Sequence, residues 1–588
     1  MNPEPHRPDL SRRRAAVLLL ALGLLAFIAG LGSRGLWIPD ETRYALVARD
    51  MIDSGDWLHL KLVGRPYPDK PVGCFWVVGA IAKTTGLLNE WTVRIPSALA
   101  GVGCLLLVAA LGRRLFDART GFLAAVILGT TGSVVISARS FMFDMPLTFW
   151  ILAATALLWK ILSEDRQRLW IPFGLLCGLG ILTKGHNGLL LPVLTGLAYS
   201  AWERRWRPWR GFPLALAACL ATAALWLGPA VVTLGAEEGK AFLNNLVFRQ
   251  GLKRFSDPED HLRPFYWYFE IYPLLLFPWV IHFPRALVDA CRTSDDRSPR
   301  RRFLAAWILA VFVFFSLSKS KGYFYLLPTL PAAALLIAEH LDRRFRRAAS
   351  LLPVIQHQDT KTPRHTKTKN YFFLGGPWWS WCLGVWNKLS SEALDPETPA
   401  RRRLAAPPLL ALAALTLTVG GGGVVLARVR APDLLPMAAA VTVAALFGAV
   451  ATVTLWRRAP ALGSVLAPAL ASALVLGTFL AVAVPALDPV MCPRDLVRRT
   501  LDRLPPGGTF TAFTVDRRYF EIYAPRDRFT PPPGDGTSES FVKSLRGRTL
   551  CLIEAKTLPQ ILKWGRWEVR DSARVRFEET WLLVEYFP

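Results

Sequence analysis

Leu36-Trp37-Ile38-Pro39-Asp40-Glu41-Thr42-Arg43-Tyr44 follows an apolar run over residues 15–31 that is long enough to cross a bilayer. Two adjacent acids and an arginine therefore stand at a membrane boundary behind a proline, where charge is costly to hold without a use. Arg12, Arg13 and Arg14 precede the run, which predicts a cytoplasmic start and places Asp40 and Glu41 on the outer face. After the run stands Leu31-Gly32-Ser33-Arg34 and not a small-residue cleavage pattern, so an uncleaved anchor is expected.

Outward from this stretch the chain stays apolar. Its 588 residues are 52% hydrophobic with a mean hydropathy of +0.30, the composition of a polytopic membrane protein and not of a soluble domain. The net charge of +26 comes mostly from arginines in short segments between apolar runs, as the positive-inside bias requires. No single basic stripe suits DNA or RNA, and no nucleic-acid partner is expected. Eight cysteines occur without a Cys-x-x-Cys pair; Cys104, Cys177 and Cys219 fall in apolar runs and imply no metal. Cys492 and Cys551 stand in the last segment, either as an extracytoplasmic disulfide or as two buried thiols.

Apolar runs near 15–33, 95–112, 120–138, 145–162, 169–183, 187–201, 212–233, 266–283, 303–318, 324–338, 406–426, 433–455 and 461–485 predict about thirteen crossings. Alternate loops carry the arginines: Arg113 and Arg114, Arg166 and Arg168, Arg204 to Arg210, Arg297 to Arg302, Arg343 to Arg347, and Arg457 with Arg458. An odd count then leaves the C-terminus outside. The complementary loops bring Asp40, Glu41, Arg43, Tyr44, Asp69, Lys70, Asp144, Lys184, His186, residues 249–261, Lys319, Lys321, Tyr323 and Tyr325 to one membrane face. Six segments converging in this way are how a site is built at helix ends.

In the first outer loop, residues 34–94, Tyr44, Val47, Ala48 and Met51 share one helical face, which predicts an interfacial helix over 40–54. Pro66-Tyr67-Pro68 interrupts the chain, and residues 72–84 predict a second juxtamembrane helix with Trp76 at headgroup level. Four parts are expected: a catalytic transmembrane module over 1–345, a disordered cytoplasmic insertion over 355–400, further transmembrane helices over 401–487, and a small periplasmic α/β domain over 488–588. In the last, residues 509–515, 550–554 and 581–587 read as strands and 558–563 as a short helix.

An outer acid cluster with lysines and arginines suits a reaction in which an anionic group leaves. Cations stabilise charge growing on a departing phosphate, and a carboxylate orients an acceptor or takes its proton. A membrane enzyme so equipped would act on a lipid-linked phosphate. Each residue also has a plainer reading: Asp40 and Glu41 as solvated interfacial acids, Lys184 and Lys319 as snorkelling lysines, and Asp144 as a helix cap.

As an ordered set, Trp37 to Tyr44, Ser54-Gly55-Asp56-Trp57, Asp69-Lys70-Pro71, Thr183-Lys184-Gly185, Arg254-Phe255 and Ser318-Lys319-Ser320-Lys321 resemble the bacterial GT-C glycosyltransferases related to protein O-mannosyltransferases. The nearest likeness is to the transferases that place 4-amino-4-deoxy-L-arabinose on lipid A. The resemblance implies a GT-C-like polytopic α-helical protein in a bacterial inner membrane, with juxtamembrane helices and an outer C-terminal domain. It implies sugar transfer from a polyprenyl-phosphate donor to a lipid, glycan or protein acceptor on the periplasmic face.

By the same resemblance Asp40 matches the essential acid and Asp144 a second one, with Glu41 beside them as a third catalytic candidate. Lys70, Arg254 and Lys184 match residues that hold the carrier phosphate. Tyr325 matches an aromatic near the pocket, Arg43 and Tyr44 line its entrance, and Asp69, Lys319 and Lys321 complete the substrate-binding candidates. Two departures bear on a metal: Asp69 stands where relatives carry Glu, and Gly251 where they carry His. No required metal ligand set is therefore expected. The rival reading, a transporter or flippase, would call for related halves and midplane charges, and the chain has neither.

Overall fold

The computed structural model describes residues 12–246, 262–292, 294–356, 435–458, 475, 477–532, 537–545, 547–575 and 579–588. It is a helical bundle bearing a small sheet at its C-terminal end. The first helix, α1 (Arg12–Gly23), continues as one π-turn over Leu24–Ile28. It is followed by α2 (Asp40–Ser54), a two-stranded hairpin of β1 (Lys61–Leu62) and β2 (Arg65–Pro66), and α3 (Gly73–Thr85). Both helices thus span the stretches of chain the sequence predicts. Gly55 and Gly86 end them at φ +69° and +71°, a conformation that only glycine adopts freely.

The bundle proper starts at α4 (Glu90–Leu115), whose cap Asn89 accepts from the amides of Trp91 and Thr92 at 3.1 and 3.0 Å. Then come α5 (Ala118–Gly129), capped by Asp117, α6 (Gly132–Ala138), α7 (Asp144–Glu164), α8 (Trp170–Lys184), α9 (Asn187–Glu203), α10 (Phe212–Leu234) and α11 (Ala236–Asn244). Helices Ser298–Leu317 and Leu330–Gln356 close the bundle. Its core runs from Phe27 through Leu105, Leu152, Trp170 and Trp307 to Leu335, all essentially inaccessible.

Among the described residues, three helices are long and apolar enough to cross a membrane, Glu90–Leu115, Asp144–Glu164 and Arg207–Leu234. Two bent pairs raise this to five: Ala118–Gly129 with Gly132–Ala138, turned by 68°, and Trp267–Leu275 with Trp279–Arg292, turned by 116°. Within the described residues, two of the expected runs are bent and not straight, for a local reason. The run read as one span over 120–138 breaks at Thr130-Thr131, and the hydroxyls there fold back onto the Val126 and Ile127 carbonyls at 2.7 Å each. The run over 266–283 breaks around Phe277-Pro278. Other predicted spans, α8 and α9 among them, are shorter than a full crossing. The spans expected over 406–426 and most of 461–485, and the insertion over 357–400, lie outside the described residues.

The loops rich in arginine do collect at one end of the bundle. There Asp117 meets Arg346 and Arg297, Glu203 meets Arg302, and Glu339 meets Arg301. The motif-bearing loops collect elsewhere, around the start of α2.

At the C-terminal end the sheet has the order β3-β4-β6-β5, with β3 (Phe510–Phe513) parallel to β4 (Thr549–Glu554). β5 (Arg566–Val575) and β6 (Glu579–Phe587) pair antiparallel, with a bulge between Val569 and Asp571. Three strands lie where expected. β5 was not foreseen, because its Arg-Trp-Glu-Val-Arg-Asp run is mostly charged. Side chains alternate along β4: Leu550 and Leu552 join Phe510, Phe520 and Trp581 on one face, while Cys551 and Ile553 join Phe541 and Trp567 on the other. Cys551 therefore sits inside the sheet and Cys492 beside Tyr523, two separate free thiols and not a disulfide.

Candidate active site

The chain entering α2 is held by charge. Arg94, fully buried on α4, donates to both Glu41 oxygens at 2.8 and 2.9 Å and to the carbonyls of Leu31, Arg34 and Gly35 at 2.9, 3.0 and 2.6 Å. Arg34 adds a bond to Glu41 at 2.5 Å, and the backbone amides of Phe141 and Trp37 donate to the same carboxylate at 2.9 and 3.0 Å. Burial alone would raise the Glu41 pKa, but the two guanidinium groups outweigh it and hold the carboxyl far below the usual carboxylate range.

Glu41 is thus 3% exposed with both oxygens occupied. This corrects its candidacy as a catalytic acid. It has no free lone pair to offer a substrate, and it serves to fix the start of α2.

Asp40, one residue earlier, is different: its side chain keeps 36% of its surface and is paired with Arg43. Arg43 also donates to the Tyr44 hydroxyl at 3.3 Å and lies 5.0 Å from the centre of that ring. Burial works against the Arg43 charge, yet Tyr44, Tyr67 and Asp40 raise its pKa, while burial pushes the Tyr44 phenol up. Tyr44 packs edge-on against Phe143 and Phe141, with ring centres 4.7 and 5.8 Å apart, and against Phe75 at 6.2 Å. Phe143 leads directly into Asp144, the first residue of α7. Asp144 is buried and accepts from Lys184, at the end of α8, at 2.5 Å. The Lys184 ammonium lies 5.2 Å from the centre of the Tyr325 ring.

Two acid–base pairs, Asp40–Arg43 and Asp144–Lys184, are therefore joined across one aromatic wall. Asp144 does not simply cap its helix, nor does Lys184 simply snorkel: they are each other's partner. Asp69 and Lys70 follow β2, half-buried, on the turn into α3. Lys319 is exposed, and its carbonyl accepts from the Arg263 amide at 3.4 Å. Lys321 is 3% exposed, its ammonium bonded to the Ser318 carbonyl, and burial lowers its pKa. Through that bond it ties its own loop. Arg254 lies outside the described residues.

Sequence reasoning missed Arg34, Arg94, Tyr67, Phe141 and Phe143. A signal existed for Arg94, a charge in the first turns of an otherwise apolar helix. None existed for the phenylalanines, which look like any core residue. A metal held through positions 69 and 251 does not fit this chain, because Gly251 offers no side-chain donor.

The chain thus presents a helical bundle with broken apolar runs, two helices ahead of α4 and a small sheet at the end. Over 98% of each chain it superposes on ArnT from Cupriavidus metallidurans bound to undecaprenyl phosphate, with a TM-score of 0.71 at 19% identity. The apo form of that protein gives 0.69 at 21% identity over 97% of each chain. Residues 14–237 match the family described as dolichyl-phosphate-mannose-protein mannosyltransferase. The undecaprenyl phosphate-alpha-4-amino-4-deoxy-L-arabinose arabinosyl transferase of Pseudomonas paraeruginosa is 35% identical over 350 residues, 58% of this chain and 62% of the relative. A second such transferase, from Pseudomonas fluorescens, is 34% identical over 344 residues, 57% of this chain and 61% of the relative. The chain thus aligns with about three fifths of the length of these curated relatives.

Proposed function

We propose that this protein transfers a sugar, 4-amino-4-deoxy-L-arabinose by its relatives' names, from an undecaprenyl-phosphate carrier to a lipid A-like acceptor at the periplasmic face of the bacterial inner membrane. The observation that carries this is the junction of an accessible carboxylate, Asp40, with the Asp144–Lys184 pair across the Tyr44–Phe143 contact. The family match and the arabinosyl transferase relatives support the reaction class.

In this reading Asp40 orients the acceptor hydroxyl and takes its proton as the acceptor oxygen bonds to the anomeric carbon. The carbon–oxygen bond to phosphate breaks with inversion, and polyprenyl phosphate departs. Lys70, Arg254 and Lys184 stabilise its growing charge, and Asp144 sets the position of Lys184. Arg43 pairs with Asp40 and bonds to Tyr44 at the entrance. Asp69, Lys319 and Tyr325 line the carrier's path, and the 488–588 unit faces the periplasm.

The test is transfer of label from radiolabelled undecaprenyl-phosphate sugars in membranes carrying the wild-type chain or Asp40→Asn. Label that appears with wild type only, in the lipid extract, is expected. Label in protein would replace the acceptor, and undiminished transfer by Asp40→Asn would remove Asp40 from the mechanism.

A further inference from the structure

Every backbone N–H of the segment that presents Asp40 is accounted for, and the acceptors come almost wholly from the far end of the chain. The Gly35 amide donates to both Asp488 oxygens, at 2.9 and 3.0 Å. The Leu36 amide donates to the Tyr523 hydroxyl at 2.5 Å and the Ile38 amide to the Met491 carbonyl at 3.0 Å. The Trp37 amide goes to Glu41, and its indole N–H goes to Asp488 at 2.9 Å. Pro39 has no N–H to place. Arg494, 3.4 Å away, completes the surroundings of the Asp488 carboxylate.

Five residues of irregular backbone are thus clamped between Glu41 on one side and residues 488–523 on the other. Irregular backbone keeps one conformation only when its polar groups are taken up in this way. The approach is close: a Cβ at Gly35 would lie 2.3 Å from the Cys492 sulfur and 3.4 Å from the Tyr523 hydroxyl.

The geometry points to Asp488 as a positioning residue for the transfer step. Its carboxylate, by holding the Gly35 amide and the Trp37 indole, sets where Asp40 stands relative to the acceptor oxygen. This deepens the function proposed above and rests on the role of Asp40 given there. It also makes the C-terminal part of the chain a component of the catalytic centre, acting through the backbone without touching substrate. A misplacement of about 1 Å at a reacting group costs on the order of a hundredfold in rate, so a clamp of this kind shows in kcat before it shows in binding.

The experiment measures kcat and KM for the polyprenyl-linked donor, with the folded fraction counted by monodisperse gel-filtration yield, in Asp488→Asn, Trp37→Phe, the double variant and Asp40→Asn. Asp488→Asn should lower kcat by about tenfold with the donor KM within about twofold of wild type. Trp37→Phe removes one donor to the same oxygen and should cost about two- to fivefold, with little further loss in the double variant. Should Asp488→Asn fail to fold, Trp37→Phe alone carries the same kcat-against-KM comparison. A kcat within twofold of wild type in the folded variants, or losses that add across the pair, overturns the inference while an inactive Asp40→Asn leaves the function standing. Full activity of Asp40→Asn removes the role given to Asp40, and this inference with it, while the transfer itself stands.

Discussion

At the residue scale the adjacent acids Asp40 and Glu41 divide their work by environment. One is paired by a single arginine and open to solvent; the other is enclosed by two arginines and two amides. Glu41→Gln should leave Arg94 and Arg34 without their counter-charge in a buried site and cost about 3–5 kcal/mol, read as a fall in thermal unfolding temperature in detergent. The sign of its pH dependence follows from a depressed folded-state pKa. The stabilisation is complete above the unfolded carboxyl's pKa of about 4.3 and is lost as pH falls from there toward the folded value, a slope that Glu41→Gln should abolish. Sequence placed Asp40, Glu41, Arg43 and Tyr44 together because they adjoin. It did not separate acid from anchor, since that depends on Arg94, which reaches Glu41 from another helix.

At the element scale the helices that were legible are those with an apolar face and a local stop signal, such as α2 ending at Gly55 and α3 ending at Gly86. Broken spans were not legible, because hydropathy averages over Thr130-Thr131 without registering a bend. Close helix contacts were not legible either. Where α5 crosses α4, a Cβ at Gly121 would lie 2.3 Å from the Ala109 carbonyl oxygen and 2.7 Å from the Arg113 nitrogen, both backbone atoms that cannot move aside. Gly121→Ala should therefore cost about 1–3 kcal/mol by forcing the helices apart. Gly228 in α10 has open space around its Cβ position and ordinary helical φ, so Gly228→Ala should be neutral or stabilising by up to about 1 kcal/mol. Thermal unfolding of the two variants side by side checks the contrast.

At the scale of the whole molecule, α2 is the joint. Arg49 donates to the Glu521 and Ala524 carbonyls at 2.8 and 3.4 Å and pairs with the Glu521 carboxylate at 3.5 Å, while Arg526 reaches Asp50 and Asp53 at 2.6 and 3.2 Å. The helix α2 is enclosed between α3 and the C-terminal unit. Charge reversal by Glu521→Arg should loosen that unit, seen as faster cleavage by added protease, and the exchanged pair Arg49→Glu with Glu521→Arg should restore part of the protection. Equal cleavage of the single and exchanged variants would show that the ion pair does not hold the joint.

By itself, the sequence determined a polytopic helical protein, the alternation of arginine loops with motif loops, three of the four C-terminal strands and the identity of Asp40, Asp144 and Lys184 as one group. Period, charge bias and local motif are properties of neighbouring residues and survive in one dimension. Only the tertiary structure decided that Asp144 pairs with Lys184, that Glu41 is an anchor, that Cys492 and Cys551 stay apart, and that Asp488 grips the backbone ahead of Asp40. Those outcomes depend on which distant groups share a buried space, and burial makes each polar group take whatever partner the fold delivers.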